Sequence, residues 1–215
     1  MVSDFEEVEM NKGIFITMEG PDGSGKSTQI ELLKGYLESK GYEIIITREP
    51  GGTAISEAIR GVILNKDYTE MGHMTEALLY ASARAQLVSE VIKPALEAGK
   101  AVISDRFIDS SAVYQGMARG LGVENVYKIN EYAIQGIMPD LTILLDLPAM
   151  VGISRKKDQK ELDRMELESL DFHEKVAAGY RELAKLAPER IYTVDATDSI
   201  ENIHKEIVDK LNQVL

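Results

Sequence analysis

Cysteine and tryptophan are absent from this chain, and so is any long apolar run. Without cysteine there is no disulfide, no thiolate nucleophile and no thiolate metal site, and the composition fits a reducing cytoplasm. No stretch reaches the roughly 20 apolar residues that a membrane-spanning helix needs. Residues 1–12, MVSDFEEVEMNK, are acidic and lack an apolar centre, so they read as a flexible tail before the first strand rather than as a signal peptide. Basic charge is the scarcer sign: 24 Lys and Arg stand against 36 Asp and Glu, a net charge of −12 over 215 residues. A field of that sign repels a nucleic-acid backbone and an anionic membrane surface, which argues against both as partners. An anionic ligand must then be met by positive charge gathered locally in a cleft.

What is present is an ordinary globular composition, 44% hydrophobic and 28% charged, sufficient for one domain over residues 13–215. Apolar, β-rich runs predict strands over Gly13–Glu19, Glu43–Thr47, Ala101–Asp105, Leu141–Leu147 and Ile191–Asp195. Between them, three- and four-residue apolar spacing predicts helices near Ser27–Ser39, Thr53–Ile63, Met74–Ala98, Val123–Gln135 and Ser169–Leu186, with a last one near Ser199–Val214. Pro94 should kink or restart the longest of these. Strands alternating with helices imply an α/β fold, a five-stranded, mostly parallel sheet covered on both faces.

One segment carries a specific chemistry. Gly20-Pro21-Asp22-Gly23-Ser24-Gly25-Lys26-Ser27, followed by Thr28, satisfies the P-loop pattern G-x-x-x-x-G-K-[ST], with a strand before it and an amphipathic helix after it. The glycines let backbone N–H groups wrap an anion, and the helix start adds the positive end of its dipole. Lys26 would lie along the β- and γ-phosphates of ATP, and the Ser27 hydroxyl would coordinate Mg²⁺. A P-loop does not by itself separate kinases from switch proteins and motors. The base-reading N-K-x-D element of guanine switches is missing, Asn65-Lys66-Asp67-Tyr68 being the nearest approach.

Further along, the chain offers groups suited to a second anion. Arg48 closes the second strand before a tight Pro-Gly-Gly loop, and Tyr80 and Arg84 stand four residues apart on one helix face, a ring beside a guanidinium. Asp105 and Arg106 end the third strand, where a carboxylate can join a Mg²⁺ shell and an arginine can meet a phosphate. Ser111, Tyr114 and Gln115 follow, and the Gln115 amide presents both a donor and an acceptor to a base edge.

GPDGSGKST, REPGGT, the Tyr80–Arg84 helix, DRFIDSSAVYQG and PDLTILLDLP, in this order, resemble the thymidylate kinase family from about Ile14 to the end. The resemblance implies a P-loop nucleoside monophosphate kinase fold that moves the ATP γ-phosphoryl group onto dTMP. Arg48, Arg84 and Arg106 would then hold the 5′-phosphate, and Tyr80, where the family usually has Phe, would stack on thymine. Ser111 and Gln115 would serve the base, and Tyr114 would crowd the 2′ position. Asp22 would sit near acceptor and metal, with Asp105 in the metal shell. Val113 stands where the family usually has Ala. The polar run RKKDQKELDR becomes a short lid, about residues 153–166. None of the variable P-loop positions is basic, so the lid supplies the catalytic cation, with Arg155 preferred over Lys157 and Arg164. The resemblance also implies a homodimer, for which the helix at Met74–Ala98 is a candidate interface.

The rivals are a deoxynucleoside kinase, which needs a carboxylate base where this chain has arginines, and a nucleotide-binding switch without an acceptor. His73, His173 and His204 show no ligand spacing, and the nine methionines read as core filler.

Overall fold

A computed structural model of the chain describes residues 13–156 and 162–215. The expected tail at 1–12 therefore lies outside the described residues, as does Lys157 within the lid. Five strands, β1 Ile14–Glu19, β2 Ile44–Arg48, β3 Ala101–Asp105, β4 Leu141–Asp146 and β5 Ile191–Asp195, form one parallel sheet in the order β2-β3-β1-β4-β5. Met18 pairs with Asp105 and Arg48 pairs with the same Asp105, so the strands end level. With β1 central and its neighbours β3 and β4 reached by crossovers in opposite directions, the carboxyl edge opens into a crevice where α/β sheets bind ligands.

Side chains alternate across the sheet because successive strand residues point to opposite faces. Ile14, Ile16 and Met18, with Ile103, Ile143 and Leu145, pack beneath Ile30, Leu33 and Leu37 of α1 (Lys26–Ser39) and Ile203, Ile207 and Leu211 of α9 (Ile200–Leu211). On the opposite face Phe15 and Val102 meet Leu87, Val88 and Ile92, and the Phe15 and Phe107 rings stand edge-on with centroids 5.0 Å apart. Leu144 meets Val113, Phe172, Val176 and Tyr180, three of which, Phe172, Val176 and Tyr180, belong to α8 (Leu170–Leu186). Such rows of aliphatic burial, about 2 kcal/mol per fully buried side chain, hold the two layers on the sheet.

The helices follow the sequence pattern with two differences. The long helix expected over Met74–Ala98 is broken: α3 spans His73–Leu87, a π-helical turn covers Val88–Ile92, and α4 (Lys93–Glu97) restarts with Pro94 in its first turn, where the missing N–H costs nothing. Two short helices lie outside the stretches that apolar spacing predicts. α5 (Ile108–Ser111) runs into a π-helical turn, Ala112–Ala118, and both are buried almost throughout; α7 (Ala149–Lys156) has two turns only. The remaining helices, α2 (Ala54–Ile63), α6 (Val123–Ile134), α8 and α9, lie where spacing places them, and Thr53, Ser169 and Ser199 cap α2, α8 and α9 through their hydroxyls. The methionines are not uniformly core filler: Met18 and Met165 are buried, but Met74, Met138 and Met150 are exposed.

One polar cluster fastens the layers. Asp109 of α5, 1% exposed, receives Arg190 Nη1 at 2.5 Å and Nη2 at 2.9 Å, and the Thr142 hydroxyl at 3.2 Å, joining α5 to β4 and the approach to β5. Replacing Arg190 with Ala leaves that carboxylate buried without its cation. Urea unfolding should show a loss of about 3–5 kcal/mol. A loss under about 1 kcal/mol would mean that Asp109 is neutralised or hydrated without the arginine.

Candidate active site

The turn after β1 is shaped for an anion. Gly20 has φ 135°, and a Cβ there would lie 2.4 Å from the Leu145 carbonyl oxygen, so only glycine lets the loop lie against β4. Gly25, at φ 92°, precedes α1 with no side chain capping the helix, so the first N–H groups of α1 are left for a ligand. Lys26 Nζ lies across the loop and donates to the Gly20 and Pro21 carbonyls, each at 3.1 Å. Burial, and then the charge of Arg106, push its pKa down to about 8 against the pull of Asp105, Asp22 and Glu19. A bound phosphate would reverse that shift by supplying the missing counter-charge. Ser27 and Thr28 face the same cleft, while the Ser24 hydroxyl is buried without a partner.

Arg106 joins this loop to the rest of the site. Its backbone is left-handed, φ 73°, an unfavourable conformation for a side chain of its size. The chain after it is held by Glu19, the last residue of β1. Glu19 Oε1 accepts from the Phe107 N–H at 2.8 Å and the Ser110 N–H at 3.3 Å, while Oε2 accepts from the Ser110 hydroxyl at 2.6 Å and the Tyr180 hydroxyl at 2.9 Å. So anchored, Arg106 donates through Nη1 to the Gly20 carbonyl at 3.0 Å and the Tyr180 hydroxyl at 2.9 Å, and through Nη2 to Asp22 Oδ1 at 2.8 Å. The guanidinium also lies over the Tyr114 ring, 5.3 Å from its centroid.

Asp22, Lys26, Ser27, Thr28, Arg48, Tyr80, Asp105, Arg106, Tyr114, Gln115 and Arg155 all border one cleft of about 550 Å³, within the size range of small-molecule sites. Arg48 is exposed there and shares its Nη2 with both oxygens of Glu57, at 3.0 and 3.1 Å. The Asp105 Oδ1 atom is buried with no hydrogen-bond donor. Arg84 and Ser111 are not on this wall but directly behind it. Arg84, 1% exposed, grips Glu49 through Nε (2.9 Å to Oε2) and Nη2, donates to Ser111 Oγ at 3.0 Å, and also bonds Asn130.

The lid candidates separate. Arg155 donates to the Gly23 carbonyl at 3.1 Å and borders the cleft. Arg164 turns away: its Nε donates to the Ile63 carbonyl at 2.8 Å, and its Nη2 lies 2.7 Å from Glu76 Oε2, a charge contact without hydrogen-bond alignment. The base of the lid is seated on the loop, since a Cβ on Gly152 would lie 2.2 Å from the Asp22 carbonyl oxygen.

A family model described as Thymidylate kinase matches residues 18–207. The chain belongs to the thymidylate kinase family. It is 52% identical over 198 residues to a thymidylate kinase of Geobacillus thermodenitrificans (strain NG80-2), covering 91% of this chain and 88% of that one. It is 51% identical over 200 residues to one from Clostridium novyi (strain NT), covering 92% and 98%. The crystal structure of a thymidylate kinase from Ehrlichia chaffeensis superposes with a TM-score of 0.75 at 32% identity, over 93% of this chain and 98% of that one.

Within this family frame, sequence reasoning missed four side chains that build the site. Arg60 lines the cleft and donates to the Pro50 carbonyl at 2.8 Å; its signal was its place in the last turn of the helix after REPGGT. Glu49 lay inside that motif without a role. Glu19 and Tyr180, separated by 161 residues, meet only in three dimensions. Among the described residues no three acidic or histidine side chains cluster as a metal site.

Burial, and then the negative charge of Asp109, push the Glu19 pKa up from 4.5 to about 7. Between those values the folded chain binds the proton that the unfolded chain releases, so this contribution to stability is complete below about 4.5 and is lost as pH rises through about 7. Urea unfolding of wild type and Glu19→Gln from pH 5 to 8 should show the wild type losing stability relative to the variant as pH rises. A difference that does not change with pH would mean that Glu19 does not titrate in this range.

Proposed function

We infer that the protein transfers the γ-phosphoryl group of ATP to dTMP, giving dTDP and ADP. The observation that carries this reading is the double attachment of Arg106. Its guanidinium is bonded to the P-loop through Gly20 and Asp22, while its neighbours Tyr114 and Gln115 form the wall of the acceptor side. An acceptor phosphate bound by Arg106 is therefore brought within reach of a nucleotide on the P-loop, the positioning on which phosphoryl transfer depends.

In this reading the α1 N–H groups, Lys26, Ser24 and Thr28 hold the ATP phosphates, and Arg155 at the Gly23 carbonyl is the lid cation placed to offset charge on the transferring group. Arg48 and Arg106 hold the dTMP phosphate, with Arg60 beside them. Tyr80 stacks on the base, Gln115 reads its edge and Tyr114 closes the 2′ side of the sugar. Arg84, neutralised by Glu49 and bonded to Ser111, supports the wall from behind. Mg²⁺ fits the Ser27 hydroxyl and the Asp105 carboxylate, whose buried Oδ1 lacks any donor; when bound, it supplies charge neutralisation for the phosphate oxygens. The acceptor is already an anion, so no general base is needed, and Asp22 is in an ion pair with Arg106. An ADP-release assay with Mg·ATP should show turnover with dTMP, less with dUMP, and almost none with UMP, AMP or thymidine. Turnover with thymidine and not dTMP would make the chain a nucleoside kinase, and ATP binding without an acceptor-dependent reaction would make it a switch.

The chain also forms a homodimer in this reading. Ile55 and Val62 on α2 and Met74 and Leu78 on α3 are exposed on helices that pack together, giving an apolar surface that suits a second copy. Light scattering should give twice the chain mass, and Leu78→Glu should halve it. A variant that keeps the wild-type mass would place the interface elsewhere.

A further inference from the structure

Beside the cleft stands a buried carboxylate with no part in the phosphate chemistry. Glu76 is fully buried on α3, one turn before Tyr80 and so on the same helix face. Oε1 accepts from Gln115 Nε2 at 2.9 Å and from Arg119 Nε at 3.3 Å, while Oε2 meets Arg119 Nη2 at 3.2 Å and Arg164 Nη2 at 2.7 Å. Burial alone would favour its neutral form. The Gln115 donor and the Arg119 charge outweigh that and hold its pKa below the usual carboxylate value.

An ionised carboxylate is acceptor-only, so Gln115 can face it only with its NH₂ group. The other end of the amide follows: Gln115 borders the cleft, is 1% exposed, and its Oε1 has no hydrogen-bond donor in the protein. Reversing the amide would set two acceptors against each other at Glu76. We propose that Glu76 is a positioning residue for base selectivity, locking the Gln115 amide so that the acceptor pocket presents an acceptor and demands a donor from the base. This rests on the reading of the cleft as the dTMP site. Thymine and uracil carry an N–H at N3 that meets the demand. Cytosine carries a lone pair there and, in the same seating, leaves two buried acceptors opposed. Sites built to hydrogen-bond one edge discriminate strongly against the edge that lacks the partner.

The same carboxylate ties the base pocket to the far side of the lid. Arg164, held to the Ile63 carbonyl and through its N–H to the Leu64 carbonyl at 3.2 Å, follows the lid in sequence. Arg119 bridges Glu76 to Glu168 at 2.6 Å while its guanidinium lies 4.5 Å from the Phe172 ring centroid. The segment after the lid is thus packed on the group that orients the base reader.

Glu76→Gln conserves volume, yet its own amide can offer either an oxygen or an NH₂ to Gln115, so the lock is lost. With purified full-length chain and Mg·ATP, the ratio of kcat/KM for dTMP over dCMP should fall at least tenfold. The ratio for dTMP over dUMP, which differ only by a methyl group, should stay within about twofold, and the KM for ATP should not change. Glu76→Asp, which keeps the acceptor charge, should retain most of the dTMP over dCMP preference. A uniform loss of activity with the dTMP over dCMP ratio intact would overturn the proposal, leaving Glu76 a structural residue. Should Glu76→Gln fail to fold, the wild type decides the matter through the side-chain amide protons of Gln115 in NMR spectra. One Gln115 amide proton shifted downfield and slow to exchange in the free enzyme, as a bond to the Glu76 carboxylate requires, supports the lock, and two protons with the shifts and exchange rates of a solvated glutamine overturn it. Absence of dTMP turnover by the wild type would instead remove the functional reading on which the proposal stands.

Discussion

The site hangs on the Glu19 carboxylate. It ends the central strand one residue before the P-loop, and it takes up the two backbone N–H groups and two hydroxyls that lie around the turn after β3. That turn contains a left-handed arginine, which is stable only where the surroundings over-determine it. The donor loop and the acceptor arginine are therefore placed by one buried group. Neither can shift without breaking hydrogen bonds of the other, and a bonding cluster in a low-dielectric interior loses most when it is only partly satisfied.

The chain is strongly acidic, yet cations gather in the cleft and behind its wall, and most of them are already partnered. Arg106 pairs with Asp22, Arg48 with Glu57 and Arg84 with Glu49, while Lys26 rests on backbone carbonyls. These partners have different consequences. The exposed Arg48–Glu57 pair is weak enough for a phosphate to compete for its guanidinium. The buried Arg84–Glu49 pair is not exchangeable at modest cost, because releasing either charge leaves the other uncompensated. Hence an arginine whose spacing suggested ligand contact stands behind the wall, and one with no motif of its own, Arg60, stands on it.

The lid is coupled to the donor loop by close backbone packing and by one side chain, Arg155. Gly152 of α7 and Gly23 of the P-loop approach so closely that a Cβ on either would collide with the other segment. Arg155, one turn further along α7, then reaches the Gly23 carbonyl. Close packing of this kind transmits displacement, so the helix that leads into the lid and the loop that holds phosphate move as neighbours.

Local chemistry made the α/β architecture legible: the five strands, the main helices, the restart at Pro94 and the P-loop each depend on residues within a few positions of one another. The short helices α5 and α7 were not legible, since the buried α5 has no polar face to produce a period and the two turns of α7 are too few to establish one. Within the site, the P-loop and Arg48, Tyr80, Asp105, Arg106, Tyr114 and Gln115 could be named from motif and spacing, and the fold brings them to one cleft. The choice between Arg155 and Arg164, the withdrawal of Arg84 behind Glu49, and the roles of Glu19, Tyr180 and Glu76 belong to tertiary structure. The physical reason is range. A turn, a cap or a phosphate loop is set by neighbours in sequence, whereas the direction of a long side chain is set by whichever buried charge or donor the folded chain places opposite it.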